Sequence, residues 1–265
     1  MIVVKLGGEV IRGGALTAVA AEIAALALGR RVLVVHGGGP QTTALQKALG
    51  QTPNIVGGRR VTDGATLDAI KMAVAGQANV DLCAALTGAG ARPVGLHGGS
   101  SAVIRAKQRP PRVYSGAGPE PVDLGHVGDV EGFDVGLLEL LAGGGYLPVL
   151  ACIGADAQGH VFNINADIVA TRVAAALSAS DLMALMDVPG VLRDRDDPGS
   201  RLPRLTIDEA KALISDGVVA GGMIPKLEES FVALEAGVPR VHLLNRNLAA
   251  AAAEPGSVGT LLIRC

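Results

Sequence analysis

The segment that most constrains the fold is an aliphatic run that ends in three consecutive glycines. Residues 32–35 read Val-Leu-Val-Val, and His36-Gly37-Gly38-Gly39-Pro40 follows. A strand that ends in residues without Cβ and then enters a helix exposes backbone N–H groups to an anion such as phosphate. A second run, residues 2–6, carries Lys5 and leads into Gly7-Gly8. Either turn alone could serve close packing, but together they predict βα units that bind phosphate.

The spacing of these glycines excludes the commoner nucleotide motifs. Neither turn reads GxxxxGK[ST], and the glycines at 37–39 do not extend to GxGxxG. A P-loop and a dinucleotide-binding fingerprint are therefore both rejected.

Composition narrows the functional class further. The 265 residues are 49% hydrophobic but only 2% aromatic, and the formal net charge is −2, so nothing favours a nucleic-acid partner. Three widely spaced cysteines suit a reducing compartment better than disulfides or a metal site. The chain opens directly on a strand-like run and its apolar stretches are too short to span a bilayer, so we expect no membrane association and a cytoplasmic location.

Strand-like and helical patterns alternate along most of the chain, which predicts an α/β fold with a mainly parallel sheet covered on both faces. Residues 92–130 depart from this rhythm and carry Pro110-Pro111, Gly116 and Gly118. We expect hairpins there, on the edge of the sheet. We place the division between two lobes near residue 180, with a cleft between them.

Two segments favour anionic ligands. In Arg59-Arg60-Val61-Thr62, two guanidinium groups precede a helix for which we predict Thr62 as the N-cap, and an arginine there can hold a carboxylate bidentately. Lys226 follows Pro225 at the start of another helix, where its charge opposes the helix dipole unless it faces an anion. For either arginine alone, an exposed side chain in a turn is the plain alternative.

Two further segments have simple structural readings as well as functional ones. Asp167 opens a helix after Asn163-Ile164-Asn165-Ala166, so it could merely stabilise the positive helix end. Residues 187–192 follow an apolar run and describe a tight turn at the carboxyl edge of the sheet, where open α/β sheets bind ligands. The five histidines show no ligand spacing, and no Ser-His-Asp or Cys-His arrangement is visible.

Taken together, five motifs in register across essentially the whole chain resemble the N-acetylglutamate kinases of the amino acid kinase superfamily. They are Lys5-Leu6-Gly7-Gly8, the segment 35–40, Gly58-Arg59-Arg60-Val61-Thr62, the segment 163–167 and Gly221-Gly222-Met223-Ile224-Pro225-Lys226. The resemblance implies an αβα sandwich with an acceptor-binding and dimerisation lobe at residues 1–180 and an ATP-binding lobe at residues 181–265. It also implies transfer of phosphate from ATP to the side-chain carboxylate of N-acetyl-L-glutamate, in arginine biosynthesis.

The same resemblance assigns roles by position. Lys5 and Lys226 match two transition-state lysines, and Asp167 matches the carboxylate that orients them. The positions that match acceptor contacts are Gly38, Gly39, Arg60 and Asn163. The positions that match nucleotide contacts are Gly7, Gly8, Asp187, Val188, Pro189, Gly190, Val191, Leu192, Val218, Val219 and Ala220.

Such chemistry needs no general base, because the attacking carboxylate is already ionised at neutral pH. Mg²⁺ would arrive on the ATP phosphates, so we predict no dedicated protein metal site. The chain departs from the family at residues 97–101, His-Gly-Gly-Ser-Ser. It also begins at its first strand, without the N-terminal helix of hexameric members that arginine inhibits, so we expect a homodimer that is insensitive to arginine.

Two alternatives remain at this stage. A kinase of the same fold acting on α-aminoadipate held by an acidic carrier protein would use a basic docking surface, and a locally basic segment is present at Arg105, Lys107, Arg109 and Arg112. A ligand sensor without turnover would not need Lys5, Asp167 and Lys226.

Overall fold

The structure, a computed structural model, describes residues 1–114 and 118–265. It has fourteen strands over these residues. In chain order they are β1 (Ile2–Leu6), β2 (Val32–His36), β3 (Ile55–Val56), β4 (Arg59–Arg60), β5 (Pro93–Leu96), β6 (Ile104–Gln108), β7 (Gly128–Phe133), β8 (Leu147–Ala151), β9 (Ile153–Ala155), β10 (Val161–Asn163), β11 (Asp181–Leu185), β12 (Arg204–Thr206), β13 (Val241–Leu244) and β14 (Thr260–Ile263).

Ten α-helices lie in the same described ranges. They are α1 (Gly8–Arg12), α2 (Leu16–Ala27), α3 (Gly39–Ala48), α4 (Gly64–Ile70), α5 (Asn79–Gly88), α6 (Val135–Gly143), α7 (Ala166–Ala176), α8 (Ile207–Ser215), α9 (Met223–Glu235) and α10 (Leu248–Ala253). A π-helical segment, Lys71–Ala78, joins α4 to α5, and a 3₁₀ turn occupies Pro198–Ser200. None of the helices described is long and apolar enough to cross a membrane.

The main sheet has eight strands in the order β12-β14-β13-β11-β1-β2-β8-β5, and every neighbouring pair is parallel except β13 with β14. All residues of β1, β2 and β8 are buried, as expected for a sheet covered on both faces. Successive side chains point to opposite faces: Val3 joins one hydrophobic cluster, whereas Ile2 and Val4 join the other. The predicted α/β sandwich is confirmed.

Helices cover the two faces separately. Buried residues of α6, α7, α8 and α9 belong to the cluster that contains Val3, while those of α2, α5 and α10 belong to the cluster that contains Ile2. In the main sheet, β1, β2, β8 and β5 form one half and β11, β13, β14 and β12 the other, with β1 directly beside β11. The two halves therefore share one continuous sheet; their assignment as acceptor and ATP lobes stays a prediction.

The prediction that residues 92–130 form hairpins on the edge of this sheet is wrong in part. β5 does lie at the edge, but β6 and β7 pair antiparallel in a second sheet of order β10-β9-β6-β7. Ile104 and Ala106 of β6 are buried and Arg105 between them is exposed, so this sheet buries one face against the core that contains α7. Gly116, which we also placed in a hairpin, lies outside the described residues.

The N-cap predicted for α4 is also corrected. Asp63 caps this helix by accepting a hydrogen bond from the backbone N–H of Thr66 at 2.8 Å. The Thr62 side chain instead donates to the backbone carbonyl of Arg60 at 3.1 Å. Both residue types favour this role, and the sequence alone did not decide between adjacent candidates.

Candidate active site

A buried ion pair lies at the carboxyl end of β1. The side chain of Lys5 is only 7% exposed, and its Nζ lies 2.6 Å from Oδ1 of Asp167. Lys5 points to the same face of the sheet as Val3, and α7 packs on that face. A lysine removed from water requires a compensating charge, which Asp167 supplies.

Asp167 reaches Lys5 from the first turn of α7. The cap of this helix is Asn165, whose side-chain oxygen accepts from the backbone N–H of Asp167 at 2.8 Å. Because Asn165 provides the cap, the carboxylate of Asp167 is engaged by Lys5 rather than by the end of its own helix.

Lys226 approaches the ion pair from α9. Burial lowers the pKa of its ammonium group below the usual value and nearby Lys5 lowers it further, while Asp167 and Asp187 act in the opposite direction. A small cavity is lined by Lys5, Asp167 and Lys226 together. The structure thus brings the three predicted catalytic residues to one place, although residue 226 is separated from residue 5 by most of the chain.

The two glycine turns lie against each other beside Lys5. The backbone N–H of Gly37 donates to the carbonyl of Leu6 at 3.1 Å. A Cβ on Gly8 would lie 2.6 Å from Cδ of Pro40, and one on Gly38 would lie 2.8 Å from Cγ2 of Val74. By contrast, nothing lies within 4 Å of a Cβ placed on Gly7 or Gly39. Close packing therefore explains two of these glycines, and the other two border open space.

His36 lies next to the glycine turn at residues 37–39 and contacts its backbone. It is fully buried, and burial lowers its pKa to about 4, so the ring is neutral. Its Nε2 lies 2.9 Å from the side-chain nitrogen of Asn79, which can only donate, and its Nδ1 lies 2.9 Å from the carbonyl of Gly37. Only the tautomer protonated on Nδ1 satisfies both contacts. His36 is thus a core residue, as the sequence indicated.

These turns form one wall of a cleft of about 320 Å³. The cleft collects most of the residues that the sequence suggested for acceptor and phosphate binding. They are Lys5, Gly7, Gly8, Gly38, Gly39, Arg60 and Asn163.

Arg60 brings a cation into this cleft. Its guanidinium donates to the side chain of Gln46, to Oγ1 of Thr43 at 2.7 Å and to the carbonyl of Gly39 at 3.3 Å. Partial burial lowers its pKa, but all three partners are neutral, and no residue in the described part of the chain forms a salt bridge with it. A fixed guanidinium without a counter-ion suits a carboxylate ligand.

Asn163 is held in position by Thr62, the residue that the sequence suggested as the N-cap of α4. Its side-chain nitrogen donates to Oγ1 of Thr62 at 3.2 Å, and its backbone N–H donates to the carbonyl of His126 at 2.9 Å. Thr62 is buried and so links the segment that carries Arg60 to the start of α7.

The predicted nucleotide-binding segments lie elsewhere. Asp187 is near enough to Lys226 to affect its pKa, but residues 187–192 and 218–220 line neither the cleft nor the small cavity. Gly190 has a φ of +150°, and a Cβ there would lie 2.7 Å from Oγ1 of Thr260. Val219 is buried in the core. Packing accounts for these two positions without a ligand.

Sequence reasoning missed one ionisable residue at the site and assigned a second one to a different role. Glu229 lines both the cleft and the small cavity, and burial together with Asp167 raises its pKa. Its position three residues after Lys226 on a helix could have indicated a shared face. Arg109, which the sequence placed in an exposed basic segment, instead lines the cleft and is only 9% exposed, because its backbone pairs with Val127, which is distant in the chain.

The positive charge of the segment that appeared basic in the sequence is partly compensated in the structure. Asp129 lies 2.7 Å from Nε of Arg109 and 2.6 Å from Nη2 of Arg112. Lys107 lies 3.2 Å from Glu131. Two carboxylates thus balance two of the four positive charges of this segment, which weakens its interpretation as a basic docking surface.

The assembled site can bind two anions side by side. Ammonium groups and exposed backbone N–H groups suit a polyphosphate, and Arg60 suits a carboxylate. In phosphoryl transfer between such groups, negative charge spreads over the oxygens of the moving group, and fixed positive charge lowers the barrier.

Comparison with known proteins agrees with this chemistry. Residues 1–245 match the family described as the Amino acid kinase family. An acetylglutamate kinase from Sorangium cellulosum is 61% identical over 267 residues, which cover 99% of this chain and 94% of that protein. An N-acetylglutamate synthase structure from Neisseria gonorrhoeae, in complex with coenzyme A and N-acetyl-glutamate, superposes with a TM-score of 0.82 at 27% identity, covering 100% of this chain and 59% of that one. A carbamate kinase from Giardia shares the fold at a TM-score of 0.70 and 18% identity, covering 100% of this chain and 99% of that one.

Proposed function

The chain belongs to the amino acid kinase family, and we propose that it transfers the γ-phosphoryl group of ATP to the side-chain carboxylate of N-acetyl-L-glutamate. The observation that carries this proposal is the 2.6 Å ion pair between Lys5 and Asp167, set beside Lys226 and a cleft that also contains Arg60. The name of the 61% identical relative supports the choice of acceptor. The product is an acyl phosphate, an intermediate of arginine biosynthesis.

In this mechanism the acceptor lies in the cleft of the N-terminal half. Arg60 holds the α-carboxylate of the acceptor, because its guanidinium lies in the cleft and has only neutral hydrogen-bond partners there. Asn163, fixed by Thr62, and the turn at Gly38 and Gly39 complete the contacts with the amino-acid end of the acceptor. With the acceptor held by these contacts, its distal carboxylate is directed toward Lys5.

An oxygen of the distal carboxylate attacks the γ-phosphorus as the bond to ADP breaks. Lys5 and Lys226 stabilise the charge on the transferring group, and Asp167 holds the ammonium of Lys5 in position. No proton has to be removed, since the nucleophile is ionised at neutral pH. The thiol of Cys152 lies in the cleft, but burial raises its pKa to about 12, so it stays protonated.

ATP would occupy the other side of the site. We propose nucleotide contacts from Gly7 and Gly8, from residues 187–192 and from residues 218–220, with Asp187 near Lys226 as the link to the reacting phosphate. No group of three or more His, Cys, Asp or Glu side chains suited to a metal ion occurs among the described residues. Lys5 already engages Asp167, which fits Mg²⁺ entering as the MgATP complex.

The carrier-dependent alternative is not favoured. It needed a strongly basic exposed segment, whereas Asp129 and Glu131 balance two of the four positive charges there, and the 61% identical relative is named an acetylglutamate kinase. A sensor without turnover would gain nothing from a buried lysine paired with Asp167.

We also propose that the protein is a cytoplasmic homodimer. Among the described strands β5 pairs only with β8, so the main sheet has an open edge there, and Val80 on the adjacent α5 is 61% exposed. A second copy would cover both features. The three free cysteines suit a reducing compartment. Light scattering of the purified protein checks the oligomeric state, and a monomer would refute the dimer.

The test of the proposed function is an acceptor panel. Purified protein is incubated with MgATP, hydroxylamine and either N-acetyl-L-glutamate, L-glutamate or carrier-linked α-aminoadipate, and the acyl phosphate is trapped as the hydroxamate. We expect rapid turnover with N-acetyl-L-glutamate alone. Turnover restricted to the carrier-linked acceptor would move the enzyme to lysine biosynthesis, and ATP binding without any turnover would identify a sensor.

A further inference from the structure

We propose that Glu229 takes part in the reaction as a neutral carboxylic acid that donates a hydrogen bond to the distal carboxylate of the acceptor, so that acceptor binding takes up one proton. Glu229 lines both the acceptor cleft and the small cavity that contains Lys5, Asp167 and Lys226. The inference rests on the proposed function, because it adds a contact to the same acceptor molecule.

The carboxyl group of Glu229 has no ionic partner of its own. Glu229 is partly buried, and no side chain among the described residues forms a salt bridge with it. Its backbone is nevertheless fixed: its carbonyl accepts from Oγ1 of Thr171 at 3.4 Å, and the next residue, Ser230, donates from Oγ to the carbonyl of Lys226 at 2.7 Å. The helix α9 therefore holds this carboxyl group at the two cavities without pairing it to a cation.

The charged groups around Glu229 do not all favour its ionised form. Burial is the main reason that the pKa of Glu229 lies above its usual value, and Asp167 raises the pKa further, while Arg172 and Arg59 act in the opposite direction. Protonation of Glu229 is therefore easier than protonation of an exposed glutamate. The ionisable groups that act on Glu229 or share its cavities are Lys5 on β1, Arg59 and Arg60 on β4, Asp167 and Arg172 on α7, Lys226 and Glu228 on α9, Arg109 after β6 and the thiol of Cys152 after β8.

The charge of the small cavity favours the protonated form once substrates bind. Lys5 and Lys226 each carry a positive charge there, and Asp167 carries a negative one. With Glu229 ionised these four side chains have no net charge, whereas with Glu229 protonated they have one net positive charge. The distal carboxylate and the γ-phosphate are both anions, so they bind more tightly to the protonated form. A protonated carboxyl group can also donate a hydrogen bond, which an ionised one cannot.

The position of Glu229 favours a contact with the acceptor over one with the nucleotide. Glu229 lines the same cleft as Arg60 and Asn163, whereas the proposed nucleotide segments at residues 187–192 and 218–220 do not line it. One oxygen of the distal carboxylate attacks phosphorus, and the other is free to accept a hydrogen bond. The proton stays on Glu229 throughout, so the reaction still needs no general base.

Proton uptake gives acceptor binding a pH dependence with a definite sign. Below the pKa of Glu229 the carboxyl group is already protonated, so the acceptor KM should not change with pH. Above this pKa, binding requires one proton from solution, so the acceptor KM should rise with pH by at most about tenfold per pH unit. The carboxylates of the acceptor are ionised across the neutral range and do not produce this effect.

The experiment compares Glu229→Gln with Glu229→Ala and uses Glu228→Gln as the matched control. A glutamine side chain is neutral and keeps a hydrogen-bond donor, whereas alanine is neutral without one. Glu228 is the neighbouring glutamate, is exposed and lines neither cavity. The acceptor KM is measured at saturating MgATP from mildly acidic to mildly alkaline pH. Calorimetry of acceptor binding with a non-hydrolysable ATP analogue, in two buffers of different ionisation enthalpy, counts the protons taken up.

We expect wild type and Glu228→Gln to take up about one proton at mildly alkaline pH and to show an acceptor KM that rises with pH. Glu229→Gln should take up none, and its acceptor KM should be independent of pH and lower than that of wild type at alkaline pH. Glu229→Ala should also be independent of pH, but with an acceptor KM about tenfold to a hundredfold above that of Glu229→Gln, because the donor is lost.

Three results would overturn the inference while leaving the proposed function intact. They are proton uptake that persists in Glu229→Gln, an equal acceptor KM for Glu229→Gln and Glu229→Ala, and a higher acceptor KM for Glu229→Gln than for wild type at every pH. The last would mean that binding requires the negative charge. A wild-type protein that does not phosphorylate N-acetyl-L-glutamate would overturn both the inference and the proposed function.

Discussion

At the scale of single residues, the site depends on placing a lysine where water cannot solvate it. Burial of Lys5 is unfavourable in isolation, and Asp167 offsets the cost with a contact of 2.6 Å. An isolated pair of this kind adds little net stability. The pair is better understood as a fixed electrostatic environment that is available to a phosphoryl group without further reorganisation.

Asp167→Asn should therefore reduce kcat about a hundredfold to a thousandfold. The amide keeps the shape of the side chain but cannot hold the ammonium of Lys5, and the melting temperature should fall as well because Lys5 loses its counter-ion. The matched control is Asp134→Asn, which removes a carboxylate from the start of α6, outside both cavities. Full activity of Asp167→Asn, with a stability loss like that of the control, would reduce Asp167 to a structural role.

The lowered pKa of Lys226 predicts a pH effect with a definite sign. Deprotonation removes a positive charge from the site, so kcat should decline as pH rises, with a midpoint below the usual lysine value of 10.5. Lys226→Arg should be slower but should hold its rate to higher pH, since a guanidinium does not deprotonate in this range. An unchanged alkaline limb in that variant would assign the limb to a different group.

At the scale of elements, the two strand-to-helix turns are packed against each other as well as exposed to the cleft. The sequence predicted their location because consecutive residues without Cβ at a strand end are unusual. It could not separate Gly38, which contacts Val74 of the π-helical segment, from Gly39, which faces open space. That distinction depends on residues more than thirty positions away.

Alanine substitutions at Gly38 and Gly39 test directly whether each glycine serves close packing or ligand binding. Gly38→Ala should lower the free energy of unfolding by about 1–3 kcal/mol, because its Cβ would lie 2.8 Å from Val74 Cγ2. Gly39→Ala should leave stability nearly unchanged while raising the KM for the acceptor. Chemical denaturation and steady-state kinetics measure both, and similar unfolding free energies for the two variants would contradict the packing argument.

The elements that sequence analysis located well are those with strong periodicity. The strand-like runs at residues 2–6 and 32–35 agree with β1 and β2, because buried parallel strands leave continuous aliphatic runs in the sequence. The short elements α1 and β12 were missed, since a few residues cannot establish a period. The second sheet was misplaced because its strand partners are far apart in the chain.

At the scale of the whole molecule, the continuous sheet explains how distant residues meet. β1 lies between β2 and β11, so its carboxyl end adjoins strand ends from both halves of the chain. Lys5 can therefore lie near the glycine turn after β2 and also near Lys226, whose helix packs on the same face. Lys5, Asp167 and Lys226 were each indicated by a local motif, whereas their convergence follows from strand order, which local motifs do not specify.

The measurement that tests the central claim most directly follows oxygen atoms from the acceptor into phosphate. N-acetyl-L-glutamate labelled with ¹⁸O in its side-chain carboxylate is incubated with the protein, MgATP and hydroxylamine, which attacks the carbonyl carbon of the acyl phosphate and releases inorganic phosphate. If the carboxylate attacks the γ-phosphorus, each released phosphate carries one ¹⁸O atom from the acceptor, and Lys5→Ala should slow its appearance about a hundredfold to a thousandfold. Phosphate released without ¹⁸O would mean that water attacks ATP, and the account of this site as a carboxylate kinase would be wrong.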